Sequence, residues 1–177
     1  ARQGIREDLK DDVPLTTLLL CLLLLTGRRT CELLCTDLNF SRPQDPHPFR
    51  LIFHGQAKAR TDRQPYPIPV LAPASEILGA VSRLQAGLTP GLTKAQASRK
   101  HQSGLRRALL SHSTFSQCKK VHALRGLYAC MCCKLFDWDE ADAAVTMQIL
   151  GHTDLTMSLA YPPFRLWADF QNEPRLG

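Results

Sequence analysis

No apolar run in this sequence approaches the roughly 20 residues that a membrane-crossing helix needs. The longest, Leu18 to Leu25, has eight residues inside a leucine-rich stretch from Leu15 to Thr26. It reads as a buried core helix. The N-terminus lacks the basic, apolar and small-residue layout of a secretory signal. Its first residue is Ala1 rather than Met, as expected of a processed chain or a piece of a longer one. One Cys-x-x-Cys spacing occurs, Cys130 to Cys133 inside an apolar helical run, without the second such pair that a zinc site of this kind needs. Seven cysteines, an odd number, fall mostly within apolar helical runs, and are expected as small buried hydrophobes in a reducing compartment. There is no internal repeat, and the break at Gly87-Leu88-Thr89-Pro90-Gly91 is too short for a domain linker. One domain over 1–177 is expected, with a polar lead-in at 1–13 and a tail at 167–177.

What is present is a moderately basic chain of 177 residues, long enough to bury a real core. Twenty-two Lys and Arg against 16 Asp and Glu give a net charge of +6, with an isoelectric point near 9.1. That balance permits an anionic partner without demanding one. Pro14 opens the leucine helix and Gly27 closes it, after which Arg28 and Arg29 lead into a second helix through Leu34. Two arginines at a first turn run against the helix dipole, which favours acids there; a charged surface elbow is the plain explanation. Short strands are predicted at Leu38 to Phe40, Phe49 to Phe53 and Tyr66 to Leu71, between Pro-rich turns. The last two flank a basic hairpin tip, Gly55 to Pro65, with Lys58, Arg60 and Arg63. Helices follow at Pro73 to Gln85 and Thr93 to Leu110. The second of these carries Lys94, Arg99, Lys100, Arg106 and Arg107, a solvated face or a stripe for a nucleic-acid backbone.

The most telling stretch runs from His122 to Tyr161. His122 and Arg125 are three apart and share a face on a helix. A further helix, Glu140 to Leu150, ends at Gly151 in the C-cap position, and His152 follows at once. Thr153 is placed to cap a short helix, Asp154 to Ala160, which Pro162-Pro163 stops. Tyr161, nine residues after His152, is pushed out of the α region by the proline after it. Phe164 to Phe170 reads as a last helix. Alone, each feature has an ordinary explanation: a satisfied histidine, a snorkelling arginine, a packed aromatic. Their order and spacing together resemble the catalytic signature of the tyrosine recombinase superfamily.

The rest of the chain extends the resemblance, which covers residues 14 to about 166. Arg29 stands three residues before Glu32 after a core helix and a Gly turn, as in that superfamily. Several phrases are similar to protelomerases, the telomere resolvases, more than to integrases: Thr26-Gly27-Arg28-Arg29, Gly55-Gln56-Ala57-Lys58, Tyr66-Pro67-Ile68-Pro69-Val70-Leu71 and Leu124-Arg125-Gly126-Leu127-Tyr128-Ala129. Integrases more typically have Gly-Leu-Arg at the first phrase and His after Leu-Arg at the last. The resemblance implies a mainly α catalytic-domain fold with a small antiparallel β-sheet. Larger members carry an N-terminal clamp and often C-terminal DNA-binding parts, which this chain is expected to lack. Pro162-Pro163 after Tyr161 also makes a stiffer exit than many integrases use.

Under this resemblance, Tyr161 is the nucleophile that forms a 3′-phosphotyrosine link. Arg29 and Arg125 hold the non-bridging oxygens with bidentate donors, and His152 adds a hydrogen bond. Lys58 protonates the leaving 5′ oxygen, and His122 is a phosphate donor or a base near Tyr161. Arg28, Arg60, Arg63, Lys100 and Lys120 are the expected DNA contacts. Neither metal nor cofactor is expected. The partner is double-stranded DNA with an inverted-repeat target, bound as a dimer in the cytoplasm of a bacterial or phage-infected cell, with no membrane role. The product is a covalently closed hairpin end. The alternatives are an integrase exchanging strands between duplexes, a non-catalytic DNA-binding module on the same fold, and a helical interaction protein.

Overall fold

The computed structural model describes residues 5, 7–9, 13–34, 39–55, 64–115, 118–136 and 143–151. Helix α1, Leu15–Thr26, is the centre of the fold. Residues Leu18 to Thr26 are all buried, as a helix apolar on every side requires. It is contacted by α3 (Ala74–Ala86), α4 (Lys94–Ser111) and α5 (Ala123–Phe136). No described helix is long and apolar enough to cross a membrane.

Each helix is cut by the residues that pack or cap it. On α3, Ala74, Ile77, Ala80, Val81 and Leu84 face inward at helical spacing. On α4 a capping box fixes the start: Gln96 N donates to Thr93 Oγ1 at 3.3 Å, and Thr93 N to Gln96 Oε1 at 2.9 Å. On α5, Leu124, Arg125, Tyr128, Ala129, Cys132 and Cys133 are buried. Burial pushes the Cys21 and Cys132 thiols up to about 12, so these sulfurs behave as hydrophobes.

The sheet has three antiparallel strands in sequence order: β1 (Asn39–Ser41), β2 (Arg50–His54) and β3 (Tyr66–Pro69). Leu51 pairs with Ile68 and Phe53 with Tyr66 across β2 and β3, so the segment between them joins neighbouring strands. Leu51, Phe53 and Ile68 turn to the core. β3 stops at Pro69, two residues short of the predicted end. The reason is tertiary, since Leu71 N donates to Leu25 O at the end of α1, 3.0 Å away. The polar lead-in also supplies two core residues, Ile5 and Leu9, and Asp8 Oδ2 lies 2.9 Å from His112 Nε2.

Helices α2, Thr30–Leu33, and α6, Ala143–Leu150, complete the described elements. α6 contacts α5 and β3. Gly151 follows α6 with φ 64°, the left-handed C-cap that its position predicted. The predicted helices at 154–160 and 164–170 lie outside the described residues, as do Glu140 to Asp142.

Candidate active site

The turn from α1 to α2 builds the centre of the site. Gly27 closes α1 in the left-handed region, φ 64°, with its N–H donating to Leu23 O. A second constraint acts there: a Cβ at Gly27 would stand 2.1 Å from Tyr128 Cδ1. Tyr128 is fully buried and fixed by its hydroxyl, which donates to Pro69 O at 2.7 Å. Only glycine fits both the conformation and the space.

The two arginines after Gly27 take opposite courses. Arg29 is the N-cap of α2. Its N–H donates to Glu32 Oε2 at 2.7 Å, and its guanidinium to Glu32 Oε1 at 2.9 Å. The Arg29 side chain keeps 14 % of its surface exposed while Glu32 keeps none. Arg28 is turned inward and only 1 % exposed. Its Nε donates to Thr26 O at 3.0 Å, one terminal nitrogen to the Tyr66 hydroxyl and the other to Ile149 O. Its guanidinium carbon lies 4.9 Å from the Phe53 ring centroid and 5.7 Å from that of Tyr66. Arg28, expected as a DNA contact, turns these donors to interior acceptors in the fold.

Arg125, on the first turn of α5, comes in from the other side. Its terminal nitrogens donate to Gly27 O and Leu150 O, and 2 % of it is exposed. Arg125 thus reaches the α1–α2 turn and the end of α6, immediately before Gly151 and His152 in the sequence. His122 itself is exposed at the mouth of α5.

Electrostatics explain why so many cations tolerate burial. Burial alone would raise the Glu32 carboxyl, but Arg28, the Arg29 N–H, Arg125 and the Arg29 guanidinium outweigh it and hold the group below its usual range. Burial likewise acts to deprotonate Arg28, and the Tyr66, Tyr128 and Glu32 groups more than offset it, so Arg28 stays charged. Three guanidinium groups thus act on one carboxylate. Such a centre favours an anion with several acceptor oxygens. Burial, then Cys132, pushes the Tyr128 phenol well above its usual value, which leaves it unsuited to act as a nucleophile.

A groove of about 620 Å³ opens beside this centre. Thr30 and His122 line it, and Arg99, Arg106, Lys119 and Lys120 supply its charge. Arg99 and Arg106 are seven apart on α4 and share a face, a signal available in the sequence but lost within a longer charge run. Lys120, expected as a DNA contact, lines this groove. Lys100 does not line it; its Nζ donates to Thr89 Oγ1 at 2.6 Å on another side of α4. Lys58, Arg60, Arg63, His152 and Tyr161 lie outside the described residues. Glu32, Tyr66 and Gly27 were not among the expected site residues, because their importance depends on contacts distant in sequence.

Comparison with known proteins decides the family. Residues 3–164 match the model of the telomere resolvase ResT/TelK catalytic domain. The chain belongs to that family. No curated protein matches its sequence, but solved structures do. One, protelomerase TelA Y201A covalently complexed with substrate DNA, shares 27% identity and a TM-score of 0.77, over 96% of this chain and 60% of that one. Protelomerase TelK complexed with substrate DNA has 21% identity and a TM-score of 0.71, over 90% of this chain and 35% of TelK. The site-specific recombinase XerH bound to its difH substrate has 15% identity and a TM-score of 0.53, over 97% of this chain and 51% of XerH. The last two show the fold alone. This telomere resolvase domain thus spans 60% of the TelA chain, and the mainly α fold with its small antiparallel sheet is that of the protelomerase and tyrosine recombinase catalytic domains.

Proposed function

We propose that this domain cleaves and reseals DNA through a 3′-phosphotyrosine intermediate, and that it closes a DNA end into a hairpin. The observation that carries the reading is the gathering of three guanidinium groups at the α1–α2 turn. Arg28, Arg29 and Arg125 act on the Glu32 carboxylate, beside a groove lined by Arg99, Arg106, Lys119 and Lys120. The family supplies the reaction class, and TelA in covalent complex with substrate DNA supplies a precedent for the link.

In this reading Tyr161 attacks the scissile phosphorus, and its phenol oxygen forms the new P–O bond as the 5′ oxygen leaves. Arg29, the more exposed of the two arginines of the turn, meets the non-bridging oxygens, with Arg125 and His152 completing the set. Lys58 gives its proton to the leaving oxygen. His122 at the groove mouth is a phosphate donor or a base near Tyr161. Arg99, Arg106, Lys119 and Lys120 follow the backbone, with Arg60 and Arg63 on the hairpin between β2 and β3. The phosphotyrosine bond conserves the energy of the broken diester, so resealing needs neither nucleotide nor metal. A hydroxyl from the opposing strand of the same end reseals it, on an inverted-repeat target held by two copies in the cytoplasm.

The test is incubation with a nicked inverted-repeat duplex that traps the covalent stage, read on a denaturing gel. The expected outcome is a protein–DNA adduct and, on intact DNA, a snap-back hairpin. Tyr161→Phe, which keeps the ring and removes the nucleophile, should give neither. An undiminished adduct in Tyr161→Phe would remove Tyr161 from the reaction. DNA binding without any adduct in the wild-type chain would favour a non-catalytic module. Strand exchange between two duplexes, with no hairpin, would favour an integrase.

A further inference from the structure

Arg28 faces wholly inward, and its partners lie on three separate pieces of chain. Its Nε holds Thr26 O at the end of α1. One terminal nitrogen holds the hydroxyl of Tyr66, the first residue of β3 and thus the point where the Lys58 hairpin rejoins the sheet. The other holds Ile149 O, three residues before His152. Phe53, on the strand that enters the same hairpin, stacks on the guanidinium. We propose that Arg28 is a positioning residue of the cleavage reaction, a planar tie that fixes the base of the hairpin and the end of α6 relative to Arg29. The proposal rests on the reading of Lys58 and His152 given above.

The chemistry of the side chain suits the task. A guanidinium offers donors in a rigid plane, so three acceptors held by it are held relative to one another. An ammonium on a flexible stem cannot do this, even with its charge retained. Arg28 is also covalently next to Arg29, so the frame it sets is the frame in which the phosphate-binding arginine sits. Displacing a catalytic group by about 1 Å can cost roughly 10²-fold in rate. A tie between the expected acid, the segment leading to His152 and the phosphate site therefore acts on the chemical step and spares DNA binding.

The experiment measures single-turnover cleavage at saturating DNA on two substrates, an ordinary diester and one with sulfur at the 5′-bridging position. A thiolate leaves without needing a proton, so sulfur restores variants whose acid is missing or misplaced. Tyr66→Phe removes only the hydroxyl that Arg28 grips. It should slow diester cleavage by about 10- to 100-fold, leave DNA affinity unchanged, and be restored by sulfur. Lys58→Ala, run alongside, should be restored in the same way. Arg28→Lys should be slow on both substrates, because the turn before His152 shifts as well. Tyr66→Phe at the wild-type rate, or Tyr66→Phe left slow by sulfur while Lys58→Ala is restored, overturns the tie to the hairpin. Arg28→Lys at the wild-type rate overturns the proposal as a whole. Lys58→Ala left slow by sulfur removes Lys58 as the acid and, with it, this role of Arg28. A merely structural contact would lower stability without responding to the leaving group.

Discussion

Gly27→Ala tests the geometry of the site most directly, because two separate penalties act on one added methyl group. The first is conformational: an L-residue in the left-handed region, where Gly27 sits at φ 64°, costs about 1–2 kcal/mol. The second is steric, since the new Cβ would stand 2.1, 2.3 and 2.7 Å from three atoms of the Tyr128 ring. That ring has no room to retreat, being fully buried and tethered by its hydroxyl to Pro69 O. Overpacking of this kind costs about 1–3 kcal/mol, so the expected total is about 2–5 kcal/mol. Urea unfolding followed by circular dichroism measures it. Repeating the substitution in a Tyr128→Ala background removes the steric part, leaving only the conformational cost of about 1–2 kcal/mol. The same loss in both backgrounds would refute the clash with Tyr128, and a loss under about 1 kcal/mol would refute both arguments.

Two further predictions concern charge. Glu32→Gln keeps the shape but removes the carboxylate that three guanidinium groups share, and should destabilise the chain by about 3–5 kcal/mol near pH 7. Because the folded Glu32 carboxyl lies below its usual value, the stability it contributes is fully present above the unfolded-state value. It is lost as pH falls through the depressed folded one. The gap between wild type and Glu32→Gln in urea should therefore close on acidification, and a gap independent of pH would place the effect elsewhere than in the charge. Arg29→Lys should cut single-turnover cleavage by about 10²-fold or more, through loss of the planar fork at the phosphate. Cleavage within about threefold of wild type would show that Arg29 is not a transition-state donor.

Much of the architecture is written in local pattern. The leucine run is too long and too apolar for anything but a buried helix, and Thr93 with Gln96 marks the start of α4 by side-chain chemistry alone. Gly27 and Gly151 punctuate α1 and α6 where their positions predict, both at φ 64°. These features need only a few neighbouring residues, which the chain supplies in order. The common face expected of His122 and Arg125 is not kept: Arg125 is buried on α5, whereas His122 precedes the helix and is exposed.

What the tertiary structure alone decided is the division of labour between Arg28 and Arg29. In the sequence they are adjacent cations, either of which could reach outward. In the fold Arg28 meets Tyr66, 38 residues away, and Ile149, 121 residues away, while Arg29 stays with Glu32 three residues on. Burying a guanidinium is costly until its acceptors surround it, and those acceptors exist together only once α1, the sheet and α6 have packed. Likewise, Arg99, Arg106, Lys119 and Lys120 become one groove only when α4 lies beside the entry to α5. Helical period and chain punctuation fix which residues share a face. Long-range packing fixes which of the charges on those faces are desolvated and which remain to meet a phosphate.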